Sequence, residues 1–385
     1  MGLVQLSAII FTVIAFLGSS TQAQPEAKFK CSTTNATCHA LIDYKNPNAT
    51  TLRYIQTLFN VKHLQDILGA NNFPTNTTGN YSVGPNEAIK VPFPCKCNNG
   101  TGLSNLVPLY TIKAGDGLYD IATTTFAGLV KYPQIQVANN ISDPNKIITG
   151  HKLWIPLPCS CDEVGGESVV HYGHLVESGN SVEGIADKYG TTQQVLLTLN
   201  GISDPKTLQA GQVLDVPLKA CSSSVRNDSL DFPLLVANAT YIYTANNCVK
   251  CKCDSSNNYI LQCEPSSQFK PTKWSTCPST QCSSNLFIGN IKSTDSCNST
   301  TCDYAGYTSK NISTVLATHS TCAAAAPSGS DPGSGASRST LQAALAETQA
   351  SRDSSIVQAN EPQCSHSCHA HSIGFVARGS QFYKL

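Results

Sequence analysis

Four acidic residues stand in loops that recur along the chain: Asp116 and Asp143 in one copy, Glu177 and Asp204 in the next. Paired carboxylates hydrolyse glycosidic bonds when one acts as acid and the other as base or nucleophile across a cleft. The spacing here gives about one equivalent carboxylate per loop, and no long α/β stretch remains to build a hydrolase core. No Ser-His-Asp arrangement or zinc-hydrolase signature stands out. The sequence reads as a binding protein, not an enzyme, and calls for no cofactor.

Cysteine is the second chemistry. Of 18 cysteines, 16 lie between Cys31 and Cys322, and Cys364 and Cys368 lie in the C-terminal stretch. The close pairs Cys95/Cys97, Cys159/Cys161 and Cys251/Cys253 are C-x-C. Zinc ribbons use C-x₂-C, so the spacing argues against a metal. Residues 1–23 explain the cysteines better. An apolar run from Ala8 to Leu17, too short to span a bilayer, is followed by small residues and Thr21-Gln22-Ala23. That is a secretory signal peptide, although no Lys or Arg precedes the run. An exported chain meets an oxidising compartment, where cysteines pair as disulfides. Sequons at Asn35, Asn48, Asn76, Asn80, Asn99, Asn140, Asn227, Asn238, Asn298 and Asn311 point to a glycoprotein. Glycans would supply the solubility that charge does not: net charge is zero and only 13% of residues are charged. No basic field exists for nucleic acid or an anionic membrane.

The loops need elements to hold them. "YTIKAGDGLYDIATTTF" (110–126) is matched 64 residues later by "HLVESGNSVEGIADKYG" (174–190). Each begins as a short strand, passes a Gly-polar turn and becomes helical in period. A second helix follows in each, with Pro133 in the first turn of one. "NNISDPNKIITGHKLWIPLPCSC" and "NGISDPKTLQAGQVLDVPLKAC" then supply a Ser-Asp-Pro loop and a closing strand. A fainter copy with the degenerate turn "KNPNAT" lies upstream. Tyr110, Ile112, Ile121, Leu153 and Ile155 read as core, and capping the helix that starts near Gly117 is the plain structural alternative for Asp116. The expected fold class is α+β. It comprises three tandem β-α-α-β units at 40–95, 109–158 and 172–220, then a cysteine-rich, loop- and β-rich domain at 221–322. A linker and disordered tail fill 323–385. Units of about fifty residues are marginal alone. Cys31, Cys38, Cys95, Cys97, Cys159 and Cys161 flank them and can staple them into one block, in any of fifteen connectivities.

The unit, with its Gly-Asp turn and Asp-Pro loop, resembles a LysM domain. Three units separated by C-x-C pairs resemble plant LysM receptor ectodomains. "TLRYIQTLF", "ILGANN", "WIPLPCSCD", "VVHY", "CSSSVRNDSLD" and "YTANNCVKCKCD" are similar to the kinase-lacking, chitin-elicitor-binding group with GPI anchors. The resemblance covers nearly all of Cys31 to Cys322. It implies Cys31–Cys97, Cys38–Cys161 and Cys95–Cys159 disulfides, and oligomers of N-acetylglucosamine as ligand. It implies a shallow groove between two loops. In the second repeat these are Ala114, Gly115, Asp116, Gly117 and Leu118, and Asn140, Ile141, Ser142, Asp143, Pro144, Asn145 and Ile147. Glycines let backbone approach a sugar, and the isoleucines offer apolar contact. The third repeat offers Glu177, Ser178, Gly179, Asn180 and Ile202 to Asp204; the first is expected to be structural.

The reading that follows is an extracellular co-receptor for chitin oligosaccharides in plant immunity, working through a partner LysM receptor kinase, with homodimerisation on ligand. Rival readings are a peptidoglycan or lipochitooligosaccharide binder and a structural wall protein. Small residues from Ser328 to Ser337 suit a GPI attachment site, but "GFVARGSQFYKL" is not the apolar tail such a signal uses. The expected location is the outer face of the plasma membrane if anchored, otherwise the apoplast. Cys364, Cys368, His366, His369 and His371 read as an unselected tail rather than a metal site.

Overall fold

A computed structural model describes residues 29–320, apart from 284 and 294–297. The signal peptide, the linker and tail from 323, the Cys364/His366 cluster, and Cys297 and Cys322 all lie outside the described residues.

The first repeat runs β1 (Thr37–Lys45), α1 (Leu52–Leu58), α2 (Leu64–Ala70) and β2 (Ala88–Asn98), with β3 (Gly100–Ser104) turning back on β2. The second repeat has β4 (Leu109–Thr111) and α3 (Leu118–Asp120), which continues as a π-helical turn, Ile121–Thr125. It goes on with α4 (Tyr132–Ala138) and β5 (Lys152–Trp154), and a short β6 (Pro158–Cys159) follows. The third is β7 (Val169–Leu175), α5 (Val182–Tyr189), α6 (Gln193–Asn200) and β8 (Val213–Lys219).

Local chemistry sets the helix ends. The hydroxyls of Thr51, Ser181 and Thr192 accept from the amides of Tyr54, Gly184 and Val195 and cap α1, α5 and α6. Pro133 sits in the first turn of α4, where a missing N–H costs nothing.

The repeats are not three separate sheets. β1 pairs antiparallel with β2 and parallel with β7, which pairs with β8. The first and third repeats thus share one sheet, extended by β3, β6 and the short strand Lys30–Cys31. The second repeat keeps its own two-stranded β4–β5 sheet. It joins the first through a common core. Tyr44, Phe59, Phe126 and Tyr110 stack edge to face, with centroids 5.0, 5.6 and 5.9 Å apart. Such pairs add about 0.5–1.5 kcal/mol each beyond burial. The disulfides Cys31–Cys97, Cys38–Cys161 and Cys95–Cys159 tie the C-x-C segments to the N-terminal strands and to one another.

The seam between β1 and β7 is polar. Asp43 is fully buried, with its Oδ2 3.0 Å from His174 Nδ1 and 3.6 Å from Lys45 Nζ. Lys45 also reaches Glu177 Oε1 at 2.9 Å. A buried charge persists in a core only when paired in this way.

After Cys221 come a meander of β9 (Thr240–Thr244), β10 (Val249–Cys253) and β11 (Gln262–Pro265), and a hairpin of β12 (Asn298–Tyr307) and β13 (Ile312–Ser320). Disulfides Cys221–Cys253, Cys248–Cys277, Cys251–Cys263 and Cys282–Cys302 hold this part. It docks on α2 so closely that a Cβ on Gly69 would collide with the Tyr241 carbonyl oxygen. The Tyr241 hydroxyl donates to the Phe73 carbonyl, 2.8 Å away. Among the described residues, no helix is long and apolar enough to cross a membrane.

Candidate functional site

The two loops of the second repeat are joined at their bases. The Ile112 amide donates to the His151 carbonyl at 2.9 Å, and the Gly150 amide donates back to Ile112 at 2.8 Å. This places 113–117 and 140–150 side by side where β4 ends and β5 begins.

The first loop is a turn closed by its own aspartate. Asp116 Oδ2 accepts from the Lys113 amide at 2.7 Å and from the Tyr110 hydroxyl at 2.8 Å. Burial, and then Asp116 itself, push Tyr110 up to about 12, so it stays a donor. Asp116 therefore points back into the turn and does not cap α3, whose N-cap is Gly117 without a side-chain bond. Gly115 has φ +87° and open space where a Cβ would be. With Ala114 it leaves backbone exposed on the turn. The Leu118 side chain is buried in the core.

The second loop starts from a clamp. Asn139 Nδ2 donates to the carbonyls of Ile135 and Trp154, both at 2.8 Å, and its Oδ1 accepts from the Trp154 amide at 2.9 Å. One side chain thus ties the end of α4 to β5. Asn71 binds Ile67 and Lys90 in the same way, and Asn200 binds Leu196 and Asp215. Residue-type reasoning missed this clamp. Its signal was the asparagine repeated at the end of "ILGAN", "IQVAN" and "LLTLN".

Beyond the clamp, Asn140 is exposed with φ +52°, and its sequon opens the loop. Asp143 Oδ1 accepts from the Asn145 amide at 3.0 Å, and Oδ2 lies 3.2 Å from Lys146 Nζ. Those two contacts, the amide first, hold its carboxyl below the usual range. Ser142 and Asn145 are exposed and Pro144 is half-buried. Ile141 and Ile147 pack against the core. The apolar side chain left in the open is Ile148, 59% exposed. Sequence reasoning named its neighbour Ile147, and two successive isoleucines in a loop do not reveal which turns inward; here Ile147 is partly buried.

The third repeat has the same frame. Asn180 Oδ1 accepts from the Glu177 amide at 3.0 Å, as Asp116 does from Lys113. Gly179 has φ +88°, and Asp204 Oδ1 accepts from Lys206 at 2.9 Å, as Asp143 does from Asn145. Where the second repeat has Ile148, the third has Gln209; each carbonyl accepts from the amide three residues on. Glu177 is held by Lys45 of the first repeat. Each of the four loop carboxylates is thus engaged within the fold. The first repeat's turn carries an exposed sequon at Asn48. Asn35, Asn76, Asn80, Asn99, Asn227 and Asn311 are also exposed; Asn298 and Asn238 are half-buried, and Asn238 Oδ1 accepts from the Ser255 amide.

The site can present backbone donors and acceptors, one apolar side chain and a carboxylate already matched by a lysine.

Comparison with known proteins gives the wider context. The family model described as "LysM domain" matches residues 110–156 and 174–217. The LysM domain-containing GPI-anchored protein 2 of Arabidopsis thaliana is 50% identical over 311 residues, 79% of this chain and 87% of that protein. The chitin elicitor-binding protein of Oryza sativa subsp. japonica is 43% identical over 303 residues, 77% and 83% of the two chains. Among solved structures, the ectodomain of a receptor-like kinase is 23% identical, covers 49% of this chain and 94% of its own, and has a TM-score of 0.42.

Proposed function

The chain belongs to the LysM domain-containing, GPI-anchored receptor-like proteins of plants, and on that premise we propose that it binds chitin oligosaccharides outside the cell. The observation that carries the proposal is the pair of loops side by side in the second repeat, 113–117 and 140–150. It combines an open turn at Gly115, an exposed Ile148 and a neutralised Asp143. An N-acetylglucosamine unit brings acetamide N–H and C=O groups for the backbone and a methyl for the isoleucine. A rigid, self-bonded loop loses little freedom on binding, which favours affinity. The relative named for chitin-elicitor binding supports the ligand.

The contacts assigned to this site are backbone from Ala114 to Gly117, the Asn140–Asn145 loop, and the Ile148 side chain. Ile147 and Leu118 support it from within. The first repeat, 40–95, is assigned as a LysM unit that scaffolds, beside units at 109–158 and 172–220. Our reading puts the protein outside the cell, at the outer face of the plasma membrane; relatives named as GPI-anchored support it. There it signals in plant defence through a LysM receptor kinase that shares the oligomer.

The test is calorimetric titration of the secreted ectodomain, Gln24 to Cys322, with a long chitin oligomer and separately with a peptidoglycan fragment. Saturable heat with chitin alone is expected. Heat only with peptidoglycan replaces the ligand. No heat with either, before and after Asn140→Gln, refutes a carbohydrate site.

A further inference from the structure

We propose that His171 is a pH-sensitive clasp: doubly protonated, it holds the segment after Cys159 against the third repeat, and on losing one proton it lets go. His171 lies on β7 and is 2% exposed. Its Nδ1 is 2.9 and 3.0 Å from the two oxygens of Asp215 on β8. Its Nε2 is 2.8 Å from the backbone carbonyl of Asp162. A carboxylate and a carbonyl only accept hydrogen bonds, whereas a neutral imidazole has one donor. Both contacts are satisfied together only by the imidazolium. When one proton leaves, the carboxylate, the stronger acceptor, keeps Nδ1–H. Nε2 then faces the Asp162 carbonyl lone pair to lone pair.

What that carbonyl holds gives the loss a consequence. The Asp162 amide donates to Ser160 Oγ at 3.1 Å. Its carboxylate accepts from the Ser32 amide at 2.7 and 2.9 Å and from Thr33 at 3.4 Å. Cys161 beside it is bonded to Cys38 on β1. One residue therefore gathers the N-terminal segment, the C-x-C connection from the second repeat, and the third repeat.

Asp215 and Asp162 are the ionisable groups that act on His171. The next groups face elsewhere. Tyr172 and His174 are on the other face of β7, with Asp43, and the Lys219–Glu167 pair closes the hairpin's open end at 3.4 Å. Burial by itself lowers the affinity of His171 for its proton. Asp215, with help from the Asp162 carbonyl, outweighs burial and raises it above the ordinary histidine value. With the folded value raised, the stabilisation is complete below about pH 6.5 and disappears as pH rises through the folded value.

The experiment follows the unsubstituted protein and one variant. Full-length secreted protein, uniformly labelled with ¹⁵N, is followed from about pH 5.5 to about pH 9. Imidazolium ¹⁵N shifts at His171 are expected at the acid end. Across its transition, protection of the Ser32 and Thr33 amides, corrected for intrinsic exchange, should fall by about tenfold or more. His171→Gln should abolish that pH step. A neutral His171 at the acid end overturns the proposal, as does amide protection that ignores the transition.

Discussion

Replacing Ile148 with glutamine copies the third repeat, which has Gln209 at the same place. Fully burying an isoleucine side chain contributes about 1.5–3 kcal/mol. Ile148 is 59% exposed, so roughly three-fifths of that remains to be gained on binding. The loss predicted for Ile148→Gln is therefore about 1–2 kcal/mol, or about 5- to 30-fold in Kd for a chitin oligomer. Stability should stay within about 0.5 kcal/mol, since an exposed side chain is exchanged for another. Ile147→Ala is the contrast. It removes core packing and should lower the melting temperature, with any effect on affinity following from that. Both are read by calorimetry beside thermal melts. An unchanged Kd for Ile148→Gln with a normal melt would refute the claim that this side chain meets the sugar. Conversely, Gln209→Ile should add weak binding at the third repeat, because its turn and Asp-Pro loop already have the second repeat's frame.

Other consequences concern the frame. Asn139→Ala removes three hydrogen bonds and leaves Trp154 amide and carbonyl groups without partners; a loss of about 2–4 kcal/mol is expected in denaturant or thermal unfolding. Asp116→Asn should be nearly silent in a melt, because Asn180 does the same work in the third repeat, whereas Asp116→Ala should cost about 1–2 kcal/mol and loosen the turn. Gly69→Ala forces a Cβ into the Tyr241 carbonyl and should destabilise the docked cysteine-rich part by about 1–3 kcal/mol, seen as faster proteolysis after Cys221.

What could be read from the sequence was what repeats within one unit: the Gly-polar turn, the helical period and the Asp-Pro loop. These are local, so residues close in the chain encode them. The shared sheet was not legible, and β1 shows why. In "ALIDYK" the acid and the base look like solvent-facing positions of an ordinary alternating strand. Their partners, His174 and Glu177, lie about 130 residues away, and their burial follows from that meeting. A strand buried on both faces usually declares itself by a continuous apolar run. This one hides the signal, because two of its buried places are filled by charged side chains that pair with groups of another repeat. The two histidines of "VVHYGHL" carry the complementary clue. A polar side chain inside a β-branched run needs a partner if that strand is buried. On opposite faces of β7, the two rings meet Asp215 and Asp43. The polar residues that break the apolar pattern are the ones that fix which strands of different repeats lie together. Exchanging Asp43 and His174 together for apolar residues should therefore preserve each repeat's own turns and helices while weakening the β1–β7 register. Loss of amide protection confined to that seam would show it, and uniform loss across all three repeats would refute it.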